Sequence, residues 1–186
     1  MCCGMKNSLC LTLLLCLTAC VQVKNWGCYG QSFFQDTRLL GNWITETDKP
    51  ERQLFKVWPY QTGYIVASGA SKLKQVAEHK HELFWTIKIE GLDFMTIGGL
   101  LHRYEFVDDQ LRVLELDTEG RSEQIRTTLA ASDNFHLDEV KFERAQLTYK
   151  VLNIERLDAA SAAMLVKLAS KPELWKQKLS ARRSIK

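Results

Sequence analysis

The sequence has no apolar run long enough to act as a resident membrane span. The longest candidate, Leu9 to Cys16, falls far short of the roughly 20 helical residues that a hydrocarbon core demands. It also lacks a decisive charge: 25 basic against 22 acidic side chains give a formal +3, too little to argue for an acidic partner. The common catalytic and nucleotide signatures are missing as well. There is no Gly-x-Ser-x-Gly, no Walker loop, no Gly-x-Gly-x-x-Gly and no zinc-protease His pair. An enzymatic reading therefore has no motif to stand on, and a hydrolase with dispersed catalytic residues is kept only as the alternative. Cysteine is confined to the start: Cys2, Cys3, Cys10, Cys16 and Cys20 precede a single later thiol, Cys28.

The first nineteen residues have the three parts of an export signal: a short head ending in Lys6, the apolar stretch from Leu9, and small residues before a cut. Leu17-Thr18-Ala19-Cys20, which closes the stretch, resembles the lipobox of bacterial lipoproteins. That resemblance implies removal of residues 1–19 and attachment of lipid to Cys20. One acyl chain anchors marginally, whereas two or three, each buried methylene adding about 0.8 kcal/mol, hold a protein at a membrane effectively permanently. The next residue, Val21, is not the Asp associated with inner-membrane retention, so the resemblance implies the outer membrane, facing the periplasm. In the processed chain Cys28 has no internal disulfide partner, and an exported protein has no nucleic acid to meet.

The remaining chain divides into a tether over residues 20–35, a β domain over 36–157 and a helical extension over 158–186. The β assignment rests on short runs rich in Val, Ile, Phe, Tyr and Trp separated by turn residues. Trp85, Ile87 and Ile89 alternate with Thr86, Lys88 and Glu90, the pattern of a half-buried strand. His102 to Val107 alternates again, Asp108-Asp109 turns the chain, and Leu111 to Leu116 returns as the second arm of a hairpin. Glu123 to Ala131 reads as a short helix. Phe135 to Arg144 and Leu147 to Leu157 read as the last strands, the latter switching its buried face near Leu152 by a bulge or corner. Such a series predicts a mainly β fold, an antiparallel barrel or a curved meander.

Gly41-Asn42-Trp43 at the opening of the first long strand resembles the Gly-x-Trp signature of the lipocalins and wider calycins. It implies a Trp plugging one end of a small barrel and an Arg from a late strand stacked on it, here Arg144 or Arg156. Residues expected to line a ligand cavity, or to fill a closed core, are Trp43, Trp85, Ile87, Phe94, Tyr104 and Phe106. In the tail Asp158 caps one predicted helix, and Ser170-Lys171-Pro172-Glu173 has capping-box spacing for a second that carries Trp175 and Leu179 on one face.

Two further clusters draw attention. His79 and His81, with Glu78 or His102, have metal-ligand chemistry, but a solvated polar turn explains them better and no metal or cofactor is assigned. Lys171, Lys176, Lys178, Arg182, Arg183 and Lys186 face a single acid, Glu173. They suit either anionic lipid head groups or a solvated helix face. The sequence thus predicts a lipid-anchored, non-catalytic envelope protein. Its partners are the membrane through Cys20 and either an envelope protein or a small apolar, lipid-like ligand.

Overall fold

The computed structural model describes residues 21–26, 33–46, 53–61, 63–70, 81–97, 100–130, 132–142 and 147–184. Cys20, Cys28, His79 and Arg144 lie outside them. The strands are β1 (Val21–Val23), β2 (Phe33–Phe34), β3 (Gly41–Thr45), β4 (Gln53–Tyr60), β5 (Gly63–Ala70), β6 (His81–Ile89), β7 (Leu92–Ile97), β8 (Leu100–Val107) and β9 (Gln110–Leu116). Helix α1 (Ser122–Leu129), β10 (Phe135–Phe142), β11 (Leu147–Ile154), α2 (Ala159–Ala169) and β12 (Trp175–Arg183) complete the chain.

From β3 to β9 each strand pairs antiparallel with the next. β12 then pairs with β9 on one side and β3 on the other, closing an eight-stranded antiparallel barrel. Two tight turns are visible in the backbone. Glu90-Gly91 and Asp108-Asp109 all take positive φ, the conformation of two-residue hairpin loops whose twist matches the strands they join.

The sheet forks at β8. One edge of β8 pairs with β7; the other carries β9 along Arg103 to Val107 and β1 at Leu100. β1 continues in parallel to β11, with Val21 opposite Leu152 and Val23 opposite Ile154, and β11 pairs with β10. This three-stranded wing, with α1 and α2, covers part of the barrel's outer wall.

Two cores result. Inside the barrel pack Trp43, Val57, Tyr64, Phe84, Met95, Tyr104, Leu111 and Val113. Outside it, Ile87, Ile89, Phe94, Leu101 and Leu116 from the barrel wall meet Val21, Ile125, Leu152, Ile154 and Leu165 from the wing and helices. Several barrel strands therefore bury both faces. At Leu165, fully buried on α2, truncation to Ala costs about 2–5 kcal/mol.

Four expectations change. The tether carries β1, and Val21 is 1% exposed, because its alternating apolar residues fit the slot between β11 and β8. The face switch at Leu152 needs no bulge: β10 and β11 pair in continuous register, and Val151, Leu152, Asn153 and Ile154 are all buried, so both faces of β11 are buried along this stretch. Asp158 caps α2 as predicted, accepting from the Ser161 N–H at 2.9 Å. The second tail helix is instead a single tight turn, Pro172–Leu174, followed by β12. A local capping signal loses there to the two strand edges that would otherwise go unpaired. Finally, the described cation on Trp43 is not the predicted Arg156. Arg156 is an exposed partner of Asp158 at 3.5 Å, and Arg183 of β12 takes the position.

Deleting residues 175–186 removes the closing strand and leaves the edges of β9 and β3 open. Such a chain is expected to lose cooperative thermal unfolding and to aggregate. A soluble truncation with an unchanged transition would contradict closure by β12.

Candidate functional site

The two halves of the barrel interior differ in chemistry. One end is sealed. Gly41 opens β3 at φ +125°, a conformation glycine accepts, and Trp43 follows with no exposed surface. Its indole N–H donates to the Leu39 carbonyl at 2.8 Å, and the Arg183 guanidinium lies 5.2 Å above the ring while donating to the Arg38 carbonyl. Beside it Asp36 accepts from Arg38 Nε at 2.9 Å and from the Tyr104 hydroxyl at 2.9 Å. Burial pushes the Asp36 carboxyl up, but the hydrogen bonds from Arg38 and Tyr104 and the Arg38 charge outweigh it and hold the group below its ordinary range. Arg38 also reaches Asp93 at 2.9 Å, which pairs with Lys88 at 2.6 Å. Tyr64, Tyr104 and Trp43 fill the space above this network.

Toward the opposite end the inward positions become ionisable. His102 stands on β8 at the same parity as Tyr104 and Phe106, opposite Met95 of β7. It is 2% exposed, and its Nδ1 has no hydrogen-bond partner. Glu115 stands on β9 at the parity of Leu111 and Val113. Its two oxygens are engaged by different lysines, Oε1 by Lys176 at 3.3 Å and Oε2 by Lys178 at 3.2 Å. Lys176 also reaches Asp117 at 3.5 Å. Lys178 owes its direction to a bulge: Gln177 pairs with Leu114 and Leu179 with Val113, so Lys178 is the extra residue. Bulges commonly re-aim a side chain in this way. Burial, and then the positive charge of Lys178, push the His102 imidazole down to about 3. It is neutral.

Of the six residues expected to line a cavity or core, Trp43, Tyr104 and Phe106 face the barrel interior. Ile87 and Phe94 are buried in the outer core. Trp85 points outward and is 38% exposed; its ring lies where a Cβ on Gly63 would come within 2.8 Å. Alternation on β6 was legible, but which face looks inward depends on the wing. The basic tail is not one face. Lys171 donates to Thr128 at 2.9 Å, Arg182 approaches Glu46 at 3.7 Å, and Lys176, Lys178 and Arg183 are spent as described. Among the described residues no three His, Cys, Asp or Glu side chains gather as metal ligands, and no helix is long and apolar enough to cross a membrane. The interior His102, Glu115 and Lys178 grouping was missed as a unit. Its available signal was an ionisable residue on the apolar face of each alternating strand.

A buried neutral His lowers stability in acid, because the unfolded chain takes up a proton that the folded chain refuses. The loss begins as pH falls below the ordinary value of 6.5 and continues toward the folded value of about 3. His102→Gln is expected to remove about 2 kcal/mol of the stability difference between pH 7 and pH 5. Urea unfolding of both proteins at the two pH values checks this, and equal losses would contradict it.

No family model, curated protein or solved structure matches the chain, so the functional reading rests on the barrel's own geometry.

Proposed function

We propose that this is a lipid-anchored envelope protein, attached through Cys20 to the outer membrane and facing the periplasm, whose barrel is a non-catalytic binding module for a small apolar ligand. The observation that carries the binding reading is the chemical split of the interior. Desolvating an ion costs several kcal/mol, yet one half of the barrel buries the Glu115 and Lys178 pair beside a neutral His102, while the other half is filled with rings. A barrel kept only for stability has no use for this arrangement, whereas a ligand site needs a few polar groups among apolar walls. The anchor is supported by Leu17-Thr18-Ala19-Cys20 after the apolar run.

A partner-binding role is the second reading, favoured by the outer wall. Tyr60, Leu83 and Trp85 are 45%, 42% and 38% exposed, on β4 and β6 away from the wing, and exposed aromatic clusters of this kind mark interaction surfaces.

Mass spectrometry of the full chain from an envelope fraction, native and then denatured, separates the readings. A lipid-sized mass lost on denaturation is expected from the binding module. A bare native mass together with a cross-linked partner that Trp85→Ser abolishes would move the function to the outer wall. Cys20→Ala is expected to release the protein from the membrane fraction, and unchanged membrane retention would overturn the anchor.

A further inference from the structure

We infer that the free edge of β10, together with the end of α1, is a docking groove for an extended peptide segment of a partner protein, which adds as a strand and offers an acidic side chain to Arg126. The groove lies on the wing and needs nothing from the barrel interior.

The register shows which backbone groups are open. β10 pairs with β11 on one side, and among the described residues no strand borders the other. The Glu155 N–H donates to the Asn134 carbonyl at 3.0 Å, which makes Asn134 and Glu155 a hydrogen-bonded pair of the antiparallel ladder. Such pairs alternate with pairs that exchange no bond. The next pair, Phe135 with Ile154, is of the second kind, and the Ile154 carbonyl accepts instead from the Lys24 N–H at 2.9 Å on its other side. Continuous register carries the alternation along the strand, so Phe135, Leu137 and Glu139 aim their N–H and C=O groups outward from the sheet. An open row of this kind is a template for one more strand.

The end of α1 turns that edge into a groove. Phe135 and Leu137 pack in the outer core with Ile125 and Leu129 of α1, so the helix lies on the face of the wing to which these two β10 positions point. Between helix and strand runs a cleft of about 350 Å³, lined by Arg126, Leu129 and Ala130 on one side and by Phe135 and Leu137 on the other, a size within the range of pockets that take ligands. A segment paired on the open edge at Phe135 and Leu137 sends two of its side chains, two residues apart, toward α1. One meets the apolar surface of Leu129 and Ala130. The other meets Arg126, which is exposed and among the described residues makes no ion pair or hydrogen bond. A carboxylate is the planar partner that a guanidinium holds with two parallel bonds. The acid at the cleft, Asp138, has the opposite parity on β10, and its Oδ2 already accepts from the Asn153 amide at 2.7 Å, so Arg126 is the open charge on the α1 side. Main-chain bonds for affinity and alternate side chains for selection are a recurrent way of holding a peptide.

The probe is a phage-displayed library of random dodecapeptides, selected on the full-length protein in nanodiscs after passage over empty discs. Enriched peptides are expected to carry an acidic and an apolar residue two positions apart. A synthetic copy of one is expected to slow hydrogen exchange at the Phe135, Leu137 and Glu139 amides and to leave His136 and Asp138, already bonded to β11, unchanged. N-methylation of every second amide of that peptide is expected to abolish binding in one of the two possible phases and to be tolerated in the other, a readout that needs no protein variant. Arg126→Glu, with an unchanged unfolding transition, is expected to weaken binding at least about tenfold, the size of a hydrogen bond between charged groups. No enrichment over empty discs, or binding that leaves the Phe135 and Leu137 amides unprotected, overturns the groove. Binding that survives both N-methyl phases overturns strand addition, and an affinity indifferent to Arg126→Glu overturns the acidic partner. Protection of the same amides without peptide, present with two chains per disc and lost with one, assigns the edge to a second copy and overturns the peptide.

Discussion

The pairing of β12 with β3 is the constraint on which the rest depends. Seven strands from β3 to β9 follow one another as hairpins and leave two open edges. β12 satisfies both, and in doing so it brings Arg183 onto Trp43 at one end and Lys178 beside Glu115 at the other. Closure, the seal and the ionisable layer are therefore three consequences of one nine-residue strand. A barrel also removes the exposed edges that an open meander would have to protect.

Closing the barrel leaves an outer face that is apolar over much of β6 to β9. The wing and the two helices exist to cover it. Arg103, pointing outward, donates to the Ala169 carbonyl at the end of α2 at 3.0 Å, and the Trp175 indole N–H donates to the Leu168 carbonyl at 2.9 Å. Both bonds satisfy carbonyls that a helix end leaves without partners, so the helix is fixed to the barrel by the same groups that terminate it. The outer wall around Tyr60, Leu83 and Trp85 has no such cover among the described residues, which is why its apolar character is informative and that of Phe94 is not.

Alternation showed β structure from Trp85 to Ile89 and from His102 to Leu116, and the Gly41 and Trp43 pair anticipated a plugged barrel end. What alternation does not encode is which side of a strand is inside. Ile87 and Phe84 are both buried, in different cores, and only the position of the wing distinguishes them. The tail failed for a different reason. Trp175 to Arg183 alternates weakly because Lys176 and Lys178 hold inward positions, and a strand carrying charge on its buried side resembles a solvated helix in sequence. The feature that hid β12 is thus the one that makes the interior chemically distinctive. In sequence His102 stands out only as a third metal ligand for His79 and His81, and nothing in the run from Leu111 to Leu116 singles out Glu115.

The arrangement at Val21 to Val23 would link the proposed anchor to the fold. Val21 is buried between β11 and β8, and Val23 joins the same core. A lipid on Cys20, as proposed, is then separated from the outer core by a single peptide bond, with no spacer to absorb motion of the barrel. The Lys24 N–H donates to the Ile154 carbonyl at 2.9 Å, and the Leu157 N–H to the Asn25 carbonyl at 2.7 Å, so pairing continues past β1 and resists peeling from that end. On that proposal, orientation at the membrane would be set by β1 and the wing. The fork at β8 ties that strand to the barrel through Leu100, which also stands at the apolar end of the interior. The strand next to the proposed anchor is thereby hydrogen-bonded to a strand of the barrel itself.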